Sequence, residues 1–154
     1  MTPGSVDLKV VADRLAIVSE CVTAIRRLPG SSVKEFLSDD RNPAAAESLL
    51  RRAIQALFDA TRHLLSKGFG LGALEYRDAA RLAAEKGLVT DAPLAERLRQ
   101  IAGYRNRMTH FYDEITPEKL FGIVRDRLGD LESLAGALRQ AGARLARGKA
   151  IVRP

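Results

Sequence analysis

Among the 154 residues there is no tryptophan and a single cysteine, Cys21, so no intramolecular disulfide can form. Cys21 falls inside an apolar pattern and reads as a small buried hydrophobe, not as a nucleophile. No apolar run approaches the roughly 20 residues needed to span a bilayer. The first residues, MTPGSVDLKV, lack the apolar stretch of a signal peptide. The expectation is therefore a cytoplasmic chain that does not associate with membranes. There are two histidines, His63 and His110, with no HExxH pattern and no clustered Cys/His spacing, so no metal site is expected. A GxxxxGK[ST] loop is also missing. Gly68, Gly70 and Gly72 are spaced for flexibility, not for phosphate binding, and no cofactor is expected.

What is abundant is alanine, leucine and arginine, a composition that suits helices better than sheets. Lysine and arginine number 25 against 19 acidic residues, a net charge of +6. That balance fits an acidic partner such as nucleic acid, an acidic protein or anionic lipid, and equally a soluble protein of an arginine-rich proteome. The length favours one domain spanning residues 1–154. No strand, long linker or internal repeat is evident.

Five helices are predicted. The first covers about Val6 to Leu28, with Leu8, Val11, Leu15, Val18, Val22 and Ile25 on one stripe, and ends at Pro29-Gly30-Ser31-Ser32. A short apolar piece, Val33 to Leu37, bridges to the second. Asn42-Pro43 reads as a cap followed by proline, opening a helix to about Ser66 that breaks at Lys67–Gly72. A third helix covers about Glu75 to Lys86 and ends at Gly87. Thr90 or Asp91 caps the fourth, with Pro93 in its first turn. Thr116-Pro117 opens the fifth, whose stripe runs from Val124 through Leu128, Leu131, Ala135 and Leu138 to Leu145. The segment from about Arg144 is predicted to be a basic, frayed tail. The fold class is all-α, an antiparallel bundle of four to five helices.

The fourth helix carries an anomaly. Its apolar register, Leu94, Leu98 and Ile101, continues onto Arg105. A guanidinium there must reach solvent, meet a carboxylate, or line a cleft or subunit interface, because burying it unpaired is costly. Arg105 and His110 are about 140° apart on an ideal helix, whereas Asn106 and His110 share a face. A two-fold dimer that brings this helix against its own copy is one resolution; a structural polar network is the other. Asp59 and His63 lie one turn apart and are expected to pair, with Asp59 either supporting the core or holding Arg105 or His110.

The run Arg105-Asn106-Arg107-Met108-Thr109-His110-Phe111-Tyr112 resembles the RxxxxH signature of HEPN domains. With Tyr112 two residues past His110, it more narrowly resembles the RxxxxHxY motif of HepT-like toxins, which pair with minimal nucleotidyltransferase (MNT) antitoxins. Phe36, Asp39, Gln55, Asp59, His63, Tyr76, Leu82, Gly87-Leu88-Val89 and Gly103-Tyr104 also fit the family's pattern. Met108-Thr109 departs from it, since the family often has two aliphatic residues there.

The resemblance implies a homodimeric, HEPN-like bundle acting as a metal-independent endoribonuclease, the toxin of a type VII-like toxin–antitoxin pair. Metal-free RNA cleavage needs a base for the 2′-hydroxyl, an acid for the leaving oxygen and positive charge on the phosphorane. His110 would move the proton and Arg105 would stabilise the phosphate charge. Asn106 would orient one of them, and Asp59 would support the site. Arg97, Arg99 and Arg107 would guide RNA by its phosphates. Tyr112 is implied as the residue that the MNT antitoxin AMPylates, blocking RNA with charge and bulk. The alternative within the family is a non-catalytic module that binds a nucleotide or a protein partner. Outside it stands a helical interaction protein with no nucleic-acid activity.

Overall fold

The computed structural model describes residues 4–72, 74–109 and 115–148, with only the backbone of Met108 and Thr109. Among them are seven α-helices and no strand. They are α1 (Leu8–Arg26), α2 (Val33–Leu37), α3 (Arg41–Phe69), α4 (Tyr76–Glu85), α5 (Ala92–Thr109), α6 (Pro117–Asp126) and α7 (Leu128–Ala146).

The core forms where the apolar stripes of α1, α3 and α7 meet. Leu15, Val18, Val22 and Ile25 of α1 are sealed with Leu50, Ile54, Leu57 and Leu64 of α3 and Leu131, Leu134 and Leu138 of α7. Gly142 of α7 lies against Leu8 and Val11 at the start of α1 and Leu64 late in α3. At the other end, Arg26 of α1 reaches Glu132 of α7 at 2.6 Å. So α1 runs opposite to both α3 and α7. Thr61, buried in this core, donates its hydroxyl to the Leu57 carbonyl at 2.9 Å, which satisfies it within its own helix.

Three boundaries differ from the expectation. Asn42 does not cap α3. The helix already begins at Arg41, and buried Asn42 donates its side-chain amide to the Phe36 carbonyl of α2 at 3.2 Å. The helix also continues past Lys67 to Phe69 and ends on Gly70, whose φ of 72° is the left-handed cap that glycine favours. Gly68 inside this last turn allows close packing, since a Cβ there would come within 2.9 Å of Leu145 Cδ1. The predicted fifth helix is two helices.

That interruption falls at Arg127, where φ is −119° and ψ −3°. The apolar stripe runs straight across it, so periodicity alone hides it. The bend lets α6 cover α2 and α3, with Phe121 against Phe36 at 5.5 Å between ring centres, while α7 follows α1 and α3. Elsewhere the caps are those expected. Asp91 accepts the Leu94 N–H at 2.9 Å at the start of α5, and Thr116 accepts the Lys119 N–H at 3.2 Å at the start of α6. Gly87 closes the α4 turn at φ 75°. The last helix continues through Arg144 to Ala146; the rest of the predicted basic tail, 149–154, lies outside the described residues. No described helix is long and apolar enough to cross a membrane.

Candidate functional site

Arg105 resolves its awkward register by stacking. Its guanidinium carbon lies 5.1 Å from the centre of the Tyr76 ring, in the first turn of α4. A second guanidinium uses the same ring: Arg62 of α3 lies 4.5 Å from that centre. Phe58, one turn before Arg62, meets the Tyr76 ring edge-on at 4.7 Å and fixes its plane. Three helices thus converge on one tyrosine that carries two cations. Each cation is attracted by the ring quadrupole, but the two repel one another in a half-buried setting. Arg62 Nε is buried with no hydrogen-bond partner among the described residues.

Sequence reasoning did not single out Arg62, and it noted Tyr76 only for fitting a family pattern. Arg62 lies one turn from Phe58 on a helix that carries three other arginines, Arg41, Arg51 and Arg52, so nothing local marks it. Its partner is 14 residues further along the chain and on another helix.

Asn106 follows Arg105 on α5 and is partly exposed. Arg99 stands seven residues earlier, two turns back, so it shares that face; it is exposed and paired with Glu96 at 2.9 Å. Arg97 and Arg107 do not join this rim. Nine residues from Asn106 turn the helix by half a revolution, and Arg97 faces the opposite way. Arg97 and Arg107 border a groove of about 260 Å³ between α3, α5, α6 and α7. Tyr104 forms part of its wall, with the Arg107 guanidinium 5.8 Å from the ring centre. Burial pushes the Tyr104 hydroxyl up to about 12, so it stays protonated.

Asp59 faces α1, with Arg14 Nε at 4.0 Å from its carboxylate. It does not pair with His63, whose Nε2 accepts the Asp7 backbone N–H at 3.0 Å. An α3 residue one turn from another shares its face, but the neighbouring helix decides which partner each meets. His110 and Tyr112 lie outside the described residues. No group of three or more potential metal-ligating side chains occurs among the described residues.

A model of the HepT-like ribonuclease family matches residues 18–138. The chain belongs to that family. Among HepT-like relatives, a tRNA nuclease HepT of Aphanizomenon flos-aquae is 27% identical over 112 residues, covering 73% of this chain and 76% of the relative. An mRNA nuclease HepT of Shewanella oneidensis is 24% identical over 131 residues, covering 84% and 96%. The fold is that of HEPN toxins. It superposes with a TM-score of 0.76 on the tri-AMPylated HEPN toxin of Shewanella oneidensis in complex with its MNT antitoxin, at 23% identity over 85% of this chain and 97% of the other. A toxin–antitoxin structure with AMP-PNP gives 0.73 at 22% identity, over 84% of this chain and 97% of that one.

Proposed function

We propose that this chain is the ribonuclease toxin of a HEPN/MNT toxin–antitoxin pair, working as a cytoplasmic homodimer without a metal. The observation that carries the reading is the Arg105–Tyr76–Arg62 cluster: the motif arginine sits on an aromatic platform beside a second guanidinium, a setting made for phosphate. Arg105 and Arg62 would take the negative charge that builds on the phosphorane as the 2′-oxygen attacks phosphorus and the 5′-oxygen leaves. His110, five residues past Arg105, would take the 2′-hydroxyl proton or give one to the leaving oxygen; a dimer supplies one histidine for each role. Asn106 would orient the phosphate, and Arg99 on the same face would extend the path of the RNA. Asp59, which faces Arg14 of α1, would serve as structural support. Tyr112 is the residue we assign to AMPylation by the MNT antitoxin. Neutralisation then follows from the added charge beside Arg105.

The test is RNA cleavage in excess chelator by the full chain and by Arg105→Ala and His110→Ala. Cleavage by the parent, and its loss in both variants with the fold retained, is expected. Undiminished cleavage by either variant overturns the assignment of that residue. RNA bound but left intact by the parent would favour the non-catalytic module. Mass spectrometry of the chain coexpressed with its antitoxin should show an adenylyl group on Tyr112; an unmodified Tyr112 in the neutralised complex would point to inhibition by occlusion.

A further inference from the structure

On the other side of α5 from Asn106 lies the groove, and its chemistry is of two kinds. The floor is apolar, formed by Ile54 of α3, Ile101 of α5 and Ile123 of α6, with the Tyr104 ring beside them. The rim holds three guanidiniums, Arg97, Arg107 and Arg127. One carboxylate, Asp130, serves two of them, at 3.8 Å from Arg97 and 3.5 Å from Arg127. Arg107 has only the Tyr104 face, and no carboxylate among the described residues. The rim therefore keeps an excess of positive charge directly above an apolar floor. Arg127 reaches this rim from the break between α6 and α7.

A ligand that satisfies both parts has a flat or compact apolar body and one or two anionic groups at its edge. At about 260 Å³ the groove lies just below the range of small-molecule sites, roughly 300–1,000 Å³. That volume is too small for a lipid chain or a duplex. We infer that the groove between α3, α5, α6 and α7 binds a single nucleotide, its base on the isoleucine floor and its phosphate between Arg107 and Arg127. The nucleotide is either free or the terminal unit of an RNA strand. The inference stands apart from the nuclease assignment, because none of Arg105, Asn106 and Arg62 lines the groove.

The experiment is calorimetric titration of the full chain with AMP and with inorganic phosphate. AMP should bind at least tenfold more tightly than phosphate, and its affinity should fall as salt rises. The double variant Arg107→Gln/Arg127→Gln should lose at least tenfold in AMP affinity with an unchanged circular-dichroism spectrum. Ile123→Trp, which fills the floor, should weaken AMP as much while leaving the rim charge intact. Arg41→Gln, at an exposed guanidinium held by Asp39 at the start of α3, should leave AMP binding unchanged. Competition by a 2′-deoxy oligonucleotide ending in a phosphate would name the strand terminus as the source, and its failure to compete would name the free nucleotide. No binding of AMP at millimolar concentration, AMP no tighter than phosphate, binding indifferent to both groove variants, or binding lost in Arg41→Gln would each overturn the site.

Discussion

Arg62 and Arg105, on different helices, hold their guanidinium carbons 4.5 and 5.1 Å from the centre of the same Tyr76 ring. Two like charges gathered on one neutral ring are tolerated because the ring face is electron-rich and the heads are partly solvated. The arrangement gains most when an anion joins it.

Arg62 should consequently matter to catalysis nearly as much as a motif residue. Arg62→Ala is expected to lower kcat for RNA cleavage by about hundredfold to thousandfold, the range of losing one charge-stabilising donor. Arg62→Lys should recover only part of it, since an ammonium keeps the charge and loses the planar fork. Tyr76→Phe, which keeps the ring, should remain close to the parent. Single-turnover rates on one RNA would check the series. A wild-type rate for Arg62→Ala would show the stack to be structural alone.

Stability should fall as the solution is acidified through the normal histidine range, because of His63. Burial is the main cause that holds its imidazole below the usual 6.5, with Asp7 opposing and Lys67 adding to the effect. The unfolded chain therefore binds the His63 proton at a higher pH than the folded chain does. Stability contributed by neutral His63 is present above about pH 6.5 and is lost as the pH drops below it toward the folded value. Protonation also removes the acceptor that the Asp7 N–H uses at the start of α1. Melting curves from pH 8 to 5 should show a slope that flattens in His63→Gln. An unchanged slope would assign the loss to other groups.

Cys21 should be inert in the native state. It is 3% exposed, and burial pushes its thiol above the usual value. A thiol reagent at neutral pH should label it only at the rate of opening, and fully once the chain is denatured. Prompt native labelling would contradict the packing of α1.

Tyr104→Phe should be neutral or slightly stabilising. The hydroxyl is buried without a hydrogen-bond partner among the described residues, so its removal forfeits no bond and relieves the desolvation of an unmade one. A gain of up to about 1 kcal/mol in denaturant unfolding is expected. A loss above that size would mean the hydroxyl has a partner in solution.

The stripes of α1 and α3 could be read from spacing, because each faces one continuous core and the 3.6-residue period is preserved. Asp91, Gly87 and Thr116 were readable for a different reason: caps and left-handed turns are local chemistry. The motif from Arg105 onward stood out because a charge occupied an apolar register. What escaped depended on neighbours far along the chain. The bend at Arg127 leaves the apolar pattern intact and follows from the separate surfaces that α6 and α7 must cover. Asn42 looked like a cap because its bond goes to Phe36, six residues away. Asp59 looked like a partner for His63, but Arg14 and Asp7 claim the two residues from α1 and its approach. Arg62 acquires meaning only once α4 lays Tyr76 across it.

The two faces of α5 also set how much change in length the chain can absorb. Each residue added to an α-helix turns everything after it by about 100°. A single insertion between the Asp91 cap and Arg97 would swing Arg105 off Tyr76, and Arg97 and Arg107 out of their groove, while leaving composition and hydropathy almost untouched. The spacing from Asp91 to Arg105 therefore behaves as a ruler. Insertions belong in the turn at 27–31, between the end of α1 and the Ser32 cap of α2.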